Sequence, residues 1–150
     1  MSLGSSLTEL IALFNAQKTD LPAEALHRNC TFRLNGRAYH ETLGRPLDDP
    51  LVRLIGCGPA AYRLVVTALR YALAHPRIRL EPIDAGRHDG RQASLSARAM
   101  LTGTLRGTDQ PLRAECALSL NGEANGRIHE IAVTMGDADV ELLLAARQRS

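Results

Sequence analysis

Lysine is almost absent from this sequence: of 18 basic residues only Lys18 is a lysine, and the arginines are scattered from Arg28 to Arg149 without a run of neighbours. Against 16 acidic residues this leaves a formal net charge of +2. That is far from the basic surface phosphate-backbone binding displays, so nucleic acid is not an expected partner. A GC-rich genome accounts for the Arg and Ala bias. Cysteine is sparse as well. Cys30, Cys57 and Cys116 lie far apart, show no CxxC spacing and are odd in number, which excludes a disulfide framework and fits reduced thiols in a cytoplasm. No stretch reaches the ~18 apolar residues of a membrane span, and Met1 to Ser6 carries neither the basic nor the long apolar region of a signal peptide. A soluble cytoplasmic protein with no membrane partner is expected. HxH, HxxxH and HExxH are missing, so no metal is expected and no cofactor is implied. No GxSxG nucleophile elbow occurs. Gly56-Cys57-Gly58 lacks the preceding strand and full glycine spacing of a phosphate cradle, and reads instead as a helix start with Gly58 as N-cap before Pro59.

What is present is enough for one core. The chain has 150 residues, 45% apolar and 23% charged. A chain of this size buries roughly 68–70% of its unfolded surface without staples, so residues 1–150 are expected to form a single domain. Ser6 and Glu9 have capping-box spacing, and Leu7, Leu10, Ile11 and Phe14 share a helical face. Thr19-Asp20-Leu21-Pro22 predicts a short second helix over Ala23 to Arg28. Cys30 to Leu34, Asn35-Gly36 and Arg37 to His40 read as a hairpin with a type I′ turn. Leu43 to Gly58 is rich in Gly and Pro and reads as a covering loop, with one helical turn over Asp48 to Ile55.

Gly58-Pro59 opens the strongest helix, with Tyr62, Val65, Val66, Leu69 and Leu73 on one face, Arg63, Thr67 and Arg70 on the other, and Pro76 as its stop. The period then changes to two. Leu95 to Leu101, Leu112 to Leu118 and a last strand over Arg127 to Met135 alternate apolar with polar residues, giving strands with one wet face. Parity puts His129 beside Ile131, Val133 and Met135. Asp137 or Asp139 would cap a terminal helix carrying Val140, Leu143 and Leu144.

The segment Ala114-Glu115-Cys116-Ala117-Leu118-Ser119-Leu120, a turn, then Gly126-Arg127-Ile128-His129-Glu130-Ile131, ending in Asp137, resembles the closing strands of the nuclear-transport-factor-two-like, or SnoaL-like, superfamily. The resemblance implies an α+β, cystatin-like fold: a cone-shaped, strongly curved antiparallel sheet with helices packed on its concave face. The superfamily holds ketosteroid isomerases, epoxide hydrolases, polyketide cyclases and non-catalytic members, so it selects no chemistry. A steroid isomerase needs an Asp base and an oxyanion hole of tyrosine plus protonated aspartic acid. Those positions fall here at Leu34, Cys116 and Leu10 or Phe14. Neither this set nor the Asp-Arg-Asp set of an epoxide hydrolase is matched.

What remains is a set of pocket candidates. On parity His129 is the best-placed base, against the plainer reading of a histidine at the sheet margin. Arg33 would fork an anionic ligand if it faces inward, or serve as an exposed cross-strand partner if it does not. Tyr39 would reach a ligand carbonyl, with His40 beside it, and Tyr62 would place its hydroxyl at the rim or simply pack in the core. Cys116, Ile131, Val133 and Met135 would line the wall, with Cys116 as a small buried hydrophobe. His27 reads as a helix C-terminal histidine. The expected function is binding of a small, largely apolar molecule by a homodimer. The alternatives are a non-catalytic assembly module pairing through the face with Arg98, Thr102, Arg113 and Ser119, or a cyclase or isomerase using His129.

Overall fold

Apolar residues at helical spacing begin the chain, and in a computed structural model that describes residues 2–18, 25–38, 57–81 and 87–149 they form α1 (Leu3–Asn15). Leu7, Leu10 and Phe14 are buried, as is Leu3. The N-cap is Ser2, whose Oγ accepts from the Ser5 amide at 3.1 Å, and not the expected Ser6. Ser6 lies within the helix, fully buried, and its hydroxyl donates to the Gly126 carbonyl at 2.7 Å. A buried hydroxyl is tolerable only with such a partner.

The helix expected over Ala23 to Arg28 does not form where it is described, because Leu26 to Arg28 already belong to β1 (Leu26–Leu34). Leu26 pairs with Ile128, so burial against a distant strand overrides the local helical signal. The hairpin to β2 (Arg37–Ala38) is as expected: Asn35 and Gly36 have φ of 51° and 83°, the left-handed pair of a type I′ turn. The Asn35 side chain also accepts from the Met135 amide at 2.9 Å, tying the turn to the far end of the chain. The loop reading for residues 43–56, with its helical turn at 48–55, lies outside the described residues.

The strong helix is α2 (Gly58–Ala72), with Cys57 rather than Gly58 at its N-cap and proline in its first turn. It ends at Ala72 rather than Pro76. Leu73 has extended backbone and begins β3 (Leu73–Leu80). Pro76 sits where the register slips between Ala74 and Arg77, beside His75 at φ 52°. β3 ends the strand order, and a residue without an amide hydrogen fits such an edge.

Then follow β4 (Arg87–Asp89), β5 (Gln92–Leu105), β6 (Gln110–Glu123), β7 (Ile128–Met135) and α3 (Asp137–Arg149). Among the described residues the strands form one sheet in the order β2-β1-β7-β6-β5-β3, with β4 also on β5. The sheet is mixed rather than wholly antiparallel, because β1 and β7 run parallel. Parallel neighbours need a long connection between them, here nearly the whole chain, and period-two patterning carries no direction.

Alternation along β5 and β6 holds as expected. Leu95, Ala99, Leu101, Leu112, Ala114, Cys116 and Leu120 face the helices, while Ser96, Arg98, Arg113 and Ser119 are exposed. Two closed clusters result. One joins α1, Cys30 and Phe32 of β1 and the start of α2 to Leu95, Leu120 and Ile128. The other joins Leu73, Leu101, Leu105, Leu112 and Cys116 to Ala72 and to Ala146 of α3. Asp137 and Asp139 lie in the first turn of α3, where the helix dipole favours acids. Leu143 packs inward, but Leu144, expected on the same face, is 52% exposed.

Candidate functional site

The concave wall is built by register. Phe32 and Leu34 of β1 lie opposite Ile131 and Val133 of β7, which in turn pair with Leu120 and Leu118 of β6; Met135 pairs with Cys116. All are apolar, yet they are unequally covered. Phe32, Leu120 and Cys116 are buried, whereas Leu34, Leu118, Ile131, Val133 and Met135 are only half-buried although they face the helices. Leu69 of α2 and Ile78 of β3 pack against both closed clusters. A half-covered apolar strip thus lies between two sealed ones. One polar bridge crosses nearby: the Asn15 amide donates to the Ile78 carbonyl and accepts its amide, both at 2.8 Å.

Tyr62 is buried and tilted against Phe32, ring centroids 6.5 Å apart. Burial raises its hydroxyl pKa, opposed by Arg70. Cys116 directs its thiol at the Ala114 carbonyl, and burial, reinforced by Asp139, pushes its pKa up. Burial and the neighbouring Cys57 raise the Cys30 thiol to about 12. Neither buried cysteine is poised as a nucleophile. Tyr39 and His40 lie outside the described residues.

Two candidates do not enter the cone. Because Phe32 takes the inner face of β1, Arg33 takes the outer one, where its Nε donates to Glu130 at 2.7 Å. Asn121 holds the other Glu130 oxygen at 3.0 Å. His129 leaves its expected face for a different reason. Asn121 pairs with Glu130 but Gly122 pairs with Ile128, so a bulge absorbs His129 as an extra residue and reverses parity. Ile128 turns in, fully buried, and His129 turns out.

There His129 stacks on His27, centroids 4.4 Å apart and planes within 22°, and its Nε2–H donates to Glu123 at 2.9 Å. That hydrogen bond holds the Glu123 carboxyl below its usual range. The sequence reading missed Glu123, and the close spacing of Gly122, Gly126 and His129 was the only local sign of a bulge. His27 lies in β1, not at a helix end.

Partial burial, then the neighbouring His129 and Arg127, lowers the His27 pKa below 6.5, against the attraction of Glu123. The fold therefore takes up fewer protons than the unfolded chain, and stability should fall as pH drops below 6.5. Glu123 adds to the loss below 4.5. The melting temperature of His27→Gln should vary less with pH through the upper window than that of the wild type. Parallel slopes would contradict the assignment.

Neither a family model nor a curated protein matches the sequence. Solved structures do. A function-unknown protein from Mycobacterium tuberculosis superposes with a TM-score of 0.64 at 16% identity, covering 97% of this chain and 86% of that one. A putative polyketide cyclase from Streptomyces antibioticus gives 0.64 at 16% identity, covering 97% and 99%. A steroid delta-isomerase from Pseudomonas aeruginosa gives 0.59 at 13% identity, covering 98% and 89%. At such identities the likeness carries fold and not activity. With helices over one face of a curled, bulged sheet, the chain has the nuclear-transport-factor-two-like, SnoaL-like fold.

Proposed function

We propose that the chain binds a small, largely apolar molecule in the cone, against Leu118, Ile131, Val133 and Met135. The carrying observation is that these side chains face the helices yet stay half-covered while the clusters on either side are sealed. Apolar walls with few polar groups are the usual lining of small-molecule sites. The uncharged fluorescent probe N-phenyl-1-naphthylamine should bind saturably to the folded protein. Ile131→Arg, at a half-exposed position, should abolish that uptake while retaining a cooperative melt. Equal uptake by both proteins would reject the proposal.

A second reading is assembly through the outer sheet face. Arg98, Ala117, Ser119 and Thr134 stand exposed on adjacent strands, a mixed polar surface of the kind that pairs. Light scattering should give the mass of a dimer at micromolar concentration, and a monomer would end this reading. A cyclase or isomerase using His129 as base draws support from the His129–Glu123 hydrogen bond, and two of the structural neighbours carry the name putative polyketide cyclase. The position of His129 would place that chemistry on the outer face and not in the cone. His129→Ala should then abolish turnover, and undiminished turnover would reject it.

A further inference from the structure

A second concavity lies away from the cone, where the chain leaving α1 meets the last turns of α2 and the turn between β5 and β6. Its volume is about 420 Å³, and Thr67, Arg70, Tyr71 and Arg106 line it. We propose that it binds a small oxyanion carried on an aromatic body, an aryl phosphate or aryl carboxylate.

The argument rests on how the two guanidinium groups are held. Arg70 donates from Nη2 to the Lys18 carbonyl at 3.0 Å and lies 5.6 Å above the centroid of the Phe14 ring. Its Nε is buried with no acceptor among the described residues. Arg106 donates from Nε to the Arg70 carbonyl at 2.9 Å, while its backbone amide donates to the Ala72 carbonyl at 3.0 Å. Every one of these acceptors is neutral, and among the described residues neither arginine is in an ion pair. Two positive charges are therefore fixed beside one depression with no carboxylate paired to either among the described residues.

A helix-capping role accounts for the Nε of Arg106, since cations favour helix C-termini. It leaves the Nη groups of Arg106 without acceptors among the described residues, and these form the fork that suits a phosphate or carboxylate. Thr67 brings a hydroxyl to the same wall. Tyr71, 58% exposed and among the few large apolar side chains left in solvent, supplies a ring face for a flat organic body. The volume falls within the ~300–1,000 Å³ of small-molecule sites.

The test is an amide NMR titration with phenyl phosphate, inorganic phosphate and benzyl alcohol. Phenyl phosphate should shift the resonances of Thr67, Tyr71 and Arg106 saturably and less tightly at high salt. Inorganic phosphate should shift the same resonances more weakly, and benzyl alcohol should not shift them. Arg106→Gln should weaken phenyl phosphate by about tenfold or more, the loss of one charge-assisted contact. Tyr71→Leu, at an exposed position, should reduce phenyl phosphate to the affinity of inorganic phosphate. Non-saturating shifts, equal response to benzyl alcohol, or unchanged affinity in both folded variants would overturn the proposal. The cone is not involved, so this result is independent of probe uptake there.

Discussion

Leu120→Ala should destabilise the fold by about 3–5 kcal/mol, the upper part of the range for burial-to-cavity changes. Leu120 is 0% exposed and sits on β6 between Leu95 of β5 and Ile131 of β7. Three bonded strands hold its surroundings, so the wall cannot collapse into the space left behind. Urea denaturation should show a lower midpoint, and melting should fall by roughly 10 °C for a chain of this size. Leu118→Ala, two residues along the same face but half-buried, should lose only about 1 kcal/mol, since much of its surface is already open. The contrast matters more than either value. Equal losses would mean that Leu118 is sealed like its neighbour and that the half-covered strip does not exist.

Gly122→Ala tests the bulge that turns His129 outward. A Cβ at Gly122 would overlap the Arg127 carbonyl and come within 2.9 Å of Leu3 Cδ2. The first obstacle is backbone and cannot swing aside, and Leu3 is itself a core residue. Either the bulge must open or α1 must lift, at about 2–4 kcal/mol. Loss of the His27–His129 stack should accompany it, visible as shifted imidazole resonances. A variant with wild-type stability and unshifted imidazoles would show that the strands do not approach as described.

The legible parts of the fold are those written in local periodicity. Leu7, Leu10 and Phe14 recur at helical spacing and α1 forms. Asn35-Gly36 supplies the two left-handed residues a type I′ turn requires, and the turn forms. Of the candidate site, the wall residues Cys116, Ile131, Val133 and Met135 were readable because period two places them on one face. Arg33 and His129 were not. For Arg33 the alternation leaves two choices, and only the burial of Phe32 selects between them. For His129 one inserted residue reverses every inference drawn from parity.

The sequence by itself therefore determined the type of most elements, the inward face of β5 and β6 and the apolar character of the cone, because each follows from residues within a few positions of one another. Tertiary structure decided the rest. Leu26 became strand because Ile128 was there to pair with it, Ala72 ended its helix because Leu73 was drawn into β3, and β1 lay parallel to β7. His129 met His27 and Glu123 because a bulge turned it outward. These outcomes depend on backbone hydrogen bonds between segments far apart in the chain, and nothing in the local order of residues specifies which distant partner will supply them.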